Sequence, residues 1–130
     1  MSKFKTYLES RKVSFFDIII DDGSHILSNI MKKLVFFFKY LIPGGIYVIE
    51  DYKHPNYFTF LHDVKNHIFI DKVLFYLWKK KLFKSNILSK NEINYLINKV
   101  KNIFIHKGSC IEKKKNISDI AFIYKNKFDS

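Results

Sequence analysis

The sequence predicts an α/β fold built on a parallel sheet, and two observations carry that prediction. Two apolar runs each end in an acidic cluster: residues 15–20 before Asp21-Asp22-Gly23-Ser24-His25, and residues 46–49 before Glu50-Asp51. The one segment between them is of helix length and has a helical period. Strand, helix, strand makes a βαβ unit, whose crossover is right-handed in nearly all cases. Both strands then run the same way, and both acidic ends face one edge of the sheet. Open α/β sheets place ligands outside the carboxyl ends of their strands. Carboxylates and an imidazole gathered there suit a divalent cation beside a general base.

In chain order, residues 3–12 read as a short polar segment, the tail of a helix. Residues 15–22 form a continuous apolar, β-branched run, the pattern of a strand buried on both faces of a parallel sheet. From His25 the period changes. Ile26, Leu27, Ile30, Met31, Leu34, Val35, Phe38 and Leu41 share one helical stripe, with Lys32, Lys33 and Lys39 opposite. Pro43-Gly44-Gly45 stops this helix and turns the chain into the second strand, residues 46–49. Residues 51–57 form a loop. A helical pattern over residues 58–83 carries Leu61, Val64, Ile68, Val73, Leu77 and Trp78, and ends in Lys79-Lys80-Lys81. Ser89 and Glu92 make a capping box for a further helix with Ile93, Leu96, Ile97 and Val100. Residues 102–106 read as a third strand and residues 109–113 as an antiparallel fourth, joined at Lys107-Gly108. Residues 116–130 read as a tail, with one apolar stretch at 120–124 that suits an edge strand or a docked arm.

The chain has 130 residues, enough for one domain, and 48% of them are hydrophobic, which places it among globular sequences. A net charge of +11 raises nucleic acid or anionic membrane as partners. Arg11 is the only arginine, however, and base-reading or phosphate-clamping surfaces favour its fork of donors. The excess of Lys, Asn, Ile, Phe and Tyr is what an AT-rich coding sequence produces, so nucleic acid is not expected as a partner. Cys110 is the sole cysteine, which rules out an internal disulfide. Residues 1–12 are polar and show no signal peptide. No apolar stretch reaches the ~20 residues of a membrane span. A cytoplasmic protein without a membrane partner is expected.

The segment from Asp17 to His25, Asp-Ile-Ile-Ile-Asp-Asp-Gly-Ser-His, and that from Leu41 to Asp51, Leu-Ile-Pro-Gly-Gly-Ile-Tyr-Val-Ile-Glu-Asp, resemble a known pair of motifs. They are similar to those of the macrolide-sugar O-methyltransferases of the macrocin and mycinamicin type, within the class I S-adenosylmethionine-dependent methyltransferases. The likeness is dense over residues 15–52 and weaker to about residue 115, where residues 106–113 resemble the closing hairpin of that fold. Pro-Gly-Gly before a strand is common to the whole class. Asp-Asp-Gly-Ser-His paired with Glu-Asp at this distance is far more specific.

The resemblance implies a partial Rossmann-like methyltransferase sheet, its C-terminal strands parallel with a closing antiparallel hairpin, flanked by helices. It implies S-adenosylmethionine and Mg²⁺ as cofactors and a small-molecule hydroxyl acceptor, such as a sugar. Asp22, Glu50 and Asp51 would hold the metal, and His25 would take the proton from the acceptor hydroxyl. By position alone, the loop residues Tyr52, His54 and Tyr57 read equally as lining of an acceptor pocket, since loops at this edge carry function, or as surface packing. The Gly-rich cofactor turn of the class and the acidic residue after its second strand have no counterpart here. The first three strands of the fold would precede Met1, so a truncated or split form is expected, completed by a separate N-terminal half or by a homo-oligomer.

Other readings exist for the same residues. Asp21 and Asp22 suit helix capping, which is favoured for Asp21 and disfavoured for Asp22. A non-catalytic remnant of the same fold would keep the sheet and lose cofactor binding. In nucleotide-sugar glycosyltransferases Asp-Asp-Gly-Ser also follows a strand, but Thr-Asp and a later Asp-x-Asp motif are absent here.

Overall fold

The computed structural model describes Lys3, Thr6 and residues 15–128. Lys3 and Thr6 are helical, and the rest of the polar helix expected at 3–12 lies outside the described residues. Four strands form the main sheet: β1 (Phe16–Asp21), β2 (Leu41–Ile49), β3 (Val100–His106) and β6 (Ile120–Lys125), in the spatial order β1-β2-β6-β3. Strands β1 and β2 are parallel, and β6 runs antiparallel to both of its neighbours. The mixed sheet with a closing antiparallel pair is the architecture expected from the sequence.

Helix α1 (Leu27–Phe38) joins β1 to β2. Its stripe of Leu27, Ile30, Met31, Leu34, Val35 and Phe38 is buried, as the period predicts. Helix α2 (His54–Tyr57) is a single turn, α3 spans Ile70–Trp78 and α4 spans Lys90–Lys99. The capping box of α4 is present: Ser89 Oγ accepts from Glu92 N at 3.1 Å and Glu92 Oε1 from Ser89 N at 2.9 Å. Residues of α1, α3 and α4 share one core with Tyr47, Ile49, Ala121 and Ile123 of the sheet. Register places these four on one sheet face. The row Ile20, Val48, Phe122, Phe104 lies on the other. There Ile20 and Phe104 are 61% and 64% exposed, so the described helices cover one side only.

Three elements depart from the expected pattern. Strand β1 is not buried on both faces, because it stands at the edge of the sheet with Ile18 55% exposed. The continuous helix expected over 58–83 is broken. A 3-10 turn (Thr59–Leu61) leads into irregular chain before α3 begins at Ile70. Histidines hold that irregular chain. A carbonyl can only accept, so His67 carries its proton on Nδ1 and donates to Ile68 O at 2.8 Å. Its Nε2 then accepts from the Ser85 hydroxyl at 2.7 Å. Finally, β3 does not pair with residues 109–113. Those residues contribute only β4 (Ile111–Glu112), paired with β5 (Lys115–Asn116) around Lys113 and Lys114, which both have positive φ. Ile111 is 69% exposed and has no core to enter. The partner of β3 is the stretch expected as a tail. Ile120–Lys125 alternates buried Ala121 and Ile123 with partly exposed neighbours, the period-2 pattern of an interior strand.

The Pro43-Gly44-Gly45 turn lies inside β2. Phe16 faces Leu41 and Ile18 faces Ile46, so β2 bulges between those pairs. Gly44 has φ +82° and donates its N–H to Asn126 O at 3.1 Å. A Cβ on Gly45 would lie 3.0 Å from both Asp17 O and Ile42 O, two backbone atoms with no freedom to move aside. Gly45→Ala is expected to destabilise the fold by roughly 1–3 kcal/mol, as overpacking does; urea denaturation of the two proteins measures it.

Candidate metal centre

The two loops of the site are tied together by the backbone. Asp21 pairs with Ile49 across the parallel ladder, and Glu50 N donates to Asp21 O at 3.0 Å. The chain leaving β1 and the chain leaving β2 therefore depart side by side. Successive side chains at a strand end point to opposite faces, so Asp21 and Asp22 have different fates. Asp21 is buried. Its Oδ1 accepts from Lys33 Nζ of α1 at 2.6 Å and from Gly23 N at 3.1 Å. A Cβ on Gly23 would collide with that lysine amine. Asp22 is exposed and reaches the site.

Neither aspartate caps α1. Asp63 does so from another part of the chain: Ser28 N donates to its Oδ1 at 3.1 Å, and the Ser28 hydroxyl donates to its Oδ2. At the other end of the helix, Lys125 Nζ donates to Phe38 O at 3.1 Å and Leu41 O at 2.8 Å. An anion at the N-terminus and a cation at the C-terminus both match the helix dipole.

Asp22, His25 and Asp51 each offer a ligand atom, and these atoms lie within 4.8 Å of one another. His25 Nε2 is 3.9 Å from Asp22 Oδ1. Both His25 (φ +60°) and Asp51 (φ +52°) adopt the left-handed backbone conformation, a strained state that tends to collect at functional sites. Glu50 is half-buried and its carboxyl leans on Asp22. A proton shared with Asp22 raises the Glu50 pKa most, burial and the charges of Asp22 and Asp51 add to this, and His25 opposes it. All four residues expected at the centre are thus brought together, with His25 in the compact group and Glu50 beside it.

The donor set fits a hard cation. Mg²⁺ takes oxygen ligands at about 2.0–2.1 Å, so opposite ligands of one ion stand about 4.2 Å apart. The Asp22 and Asp51 oxygens lie no farther than 4.8 Å apart, close to that spacing. Among the described residues no lysine or arginine forms an ion pair with Asp22, Glu50 or Asp51, and a cation would relieve their repulsion.

The three expected pocket residues separate. His54 packs on His25, with the two ring centroids 4.5 Å apart. Tyr57 is half-buried, with Lys115 Nζ 5.5 Å over its ring. Tyr52 is only 2% exposed and belongs to the core. It borders a cavity of about 250 Å³ with Leu74, Trp78 and Ile103, away from the open rim. Burial, then the charges of Asp119 and Asp71, push its hydroxyl pKa up. An aromatic residue following a strand end reads equally well as rim or as core, and here the core takes it.

No protein-family profile matches the chain. Among curated proteins it is 48% identical over 42 residues to mycinamicin VI 2''-O-methyltransferase of Micromonospora griseorubida, covering 32% of this chain and 10% of that protein. It is 53% identical over 36 residues to demethylmacrocin O-methyltransferase of Streptomyces fradiae, covering 28% and 9%. Among solved structures it aligns with MycE methyltransferase of the mycinamycin biosynthetic pathway in complex with Mg, SAH and mycinamycin VI. The TM-score is 0.61 at 21% identity, over 95% of this chain and 29% of that one. A second MycE structure, with Mg and SAH, gives 0.62 at 24% over 97% and 30%. The chain resembles part of a macrolide-sugar O-methyltransferase. It spans about a tenth of the length of its curated relatives and about three tenths of the solved chain. Within that span it has the fold of MycE. No helix among the described residues is long and apolar enough to cross a membrane.

The remote cap is open to a direct measurement. Burial pushes the Asp63 carboxyl up, but the Ser28 hydroxyl and amide and the nearby His62 outweigh it, so its pKa lies below the usual carboxylate range. The cap therefore stabilises the fold above the ordinary aspartate pKa, and its contribution is lost as pH falls through the lowered value. Asp63→Ala is expected to cost about 1 kcal/mol at neutral pH. The difference from the unaltered chain should shrink in acid, as followed by urea melts at several pH values.

Proposed function

We propose that this chain carries the metal-and-base half of an S-adenosylmethionine-dependent, Mg²⁺-assisted O-methyltransferase acting on a hydroxyl of a sugar or similar small molecule. The observation that carries this reading is the convergence of Asp22, His25 and Asp51, with Glu50 alongside, on one rim of a MycE-like sheet. Asp22 and Asp51 would hold Mg²⁺, with Glu50 as a further oxygen donor. Bound there, the ion would supply a positive charge that acidifies an acceptor hydroxyl. His25 takes the hydroxyl proton as a neutral base, and the His54 ring against it limits its orientation. S-adenosylmethionine, when bound, would supply the methyl group for that oxygen and be left as a neutral thioether. The residues of this chain contribute placement of oxygen and base, which supplies much of the rate in such a displacement.

Among the described residues the outer edge of β1 is unpaired, which supports a form completed by further polypeptide. An open cavity of about 590 Å³ runs along it, lined by Phe16, Ile18, Ile20, Asp21, Phe37 and Tyr47. Asp21 Oδ2 and the Tyr47 hydroxyl are buried there without a hydrogen-bond partner among the described residues. A separate N-terminal half fits this edge better than a second copy. In full antiparallel overlap centred on Ile19, a second copy would set Asp17 against the opposing Asp21, and like charges directly opposite destabilise a strand pair. A non-catalytic remnant of the fold, keeping the sheet without cofactor chemistry, is the alternative reading.

Calorimetry on the purified chain separates these. Mg²⁺ or Mn²⁺ is expected to bind, and Asp51→Asn is expected to weaken binding by tenfold or more, in the range of ~10–100-fold typical of metal-site changes. S-adenosylmethionine is expected to bind only when an N-terminal half is supplied. Metal that binds Asp51→Asn as tightly as the unaltered chain would count against the site. A pH series adds an independent sign. The folded state holds the Glu50 proton more tightly than the unfolded state does, so stability falls as pH rises through the raised Glu50 pKa. Differential scanning calorimetry without divalent cation should show that decline, and added Mg²⁺ should remove it.

A further inference from the structure

We propose that Asp119, acting through Lys53, is a positioning residue for the turn that carries Glu50 and Asp51. The inference rests on the metal-site reading above and adds a residue to it. Asp119 is 2% exposed, at the entry to β6, far from Asp51 in sequence. Both of its oxygens are used. Oδ2 pairs with Lys53 Nζ at 3.1 Å, and Oδ1 accepts from Gly108 N at 3.1 Å.

Burying two charges costs solvation that their attraction often fails to return, so such a pair is poor evidence of stabilisation. Its place in the fold suggests a different role. The turn after β2 is pinned at four points: Glu50 N on Asp21 O, His54 N on Asp51 O, the Tyr52 ring in the core, and Lys53 on Asp119. Between the pins Asp51 stands at φ +52°, a conformation that a non-glycine residue leaves when its flanks are free. Relaxation of that residue would swing its carboxylate away from Asp22 and His25. The pin also keeps the Lys53 ammonium occupied. Released, it could reach the same carboxylates and occupy the place of a cation.

The test uses the full chain and Mn²⁺ alone, with free Mn²⁺ read by electron paramagnetic resonance and folding by circular dichroism. Asp119→Asn keeps an acceptor for Gly108 N and removes the charge that holds Lys53. It is expected to weaken Mn²⁺ binding by about tenfold or more, the scale seen when groups behind metal ligands are changed. The double variant Lys53→Met/Asp119→Asn leaves no unpaired charge, so it remains informative if the single variant unfolds. Equally weak binding by the double variant supports positioning. Restored binding would make Lys53 a mere competitor and overturn the positioning role. A change of less than about twofold in Asp119→Asn would also overturn it, leaving the metal site standing. An unaltered chain that binds no Mn²⁺ overturns the site itself, and this inference with it.

Discussion

The hydrogen bond from Glu50 N to Asp21 O is the constraint from which the site follows. It extends the parallel β1–β2 ladder one step past Ile49 and forces two loops to leave the sheet together. Without that shared exit, the aspartates after β1 and the Glu-Asp pair after β2 would be unrelated surface charges. With it, four ionisable side chains are confined to one rim before any ligand arrives. The ladder is held in turn by α1, whose six buried residues close the crossover against Tyr47 and Ile49.

Charge placement around α1 explains why some acidic residues are available for chemistry and others are not. Asp63 takes the capping task at the N-terminus of the helix, and Lys125 takes it at the C-terminus. Asp21 is spent on Lys33. Asp22 is left without a structural duty, and so is Asp51, whose turn is fixed by its neighbours. A site of repelling carboxylates is tolerable where other contacts hold its backbone in place. That division of labour is visible in the two left-handed residues of the rim, His25 and Asp51.

Much of this was legible in the sequence, for identifiable reasons. The βαβ unit was readable because its signals are local: two apolar runs, a helical stripe and turn residues between them. The capping box at Ser89 and Glu92 was readable because it spans only three residues. The four residues at the rim were readable because topology alone places strand ends together. Tertiary partnerships were not. Nothing near Asp63 marks it as the cap of a helix 35 residues away. Nothing near Asp119 marks Lys53 as its partner. The apolar period across residues 58–83 suggested one helix, but it cannot register the His67–Ser85 bond that stabilises irregular chain there. The strand at residues 120–125 was undervalued because its lysine-rich surroundings resemble a tail, whereas its alternation alone was the better guide.

The position of β6 has a consequence for how the molecule comes to be. Among the described strands of the sheet it comes last in chain order, yet it lies between β2 and β3 and joins them. Ile46 meets Tyr124 across most of the chain's length. On the ribosome, β2 emerges long before β6, and its edge on that side must wait for residues 120–125 before it is sealed. Distant pairing of this kind is slow to form. Until that strand arrives, the inner edge of β2 stands open to the wrong neighbour, the kind of unpaired edge from which misassembly starts.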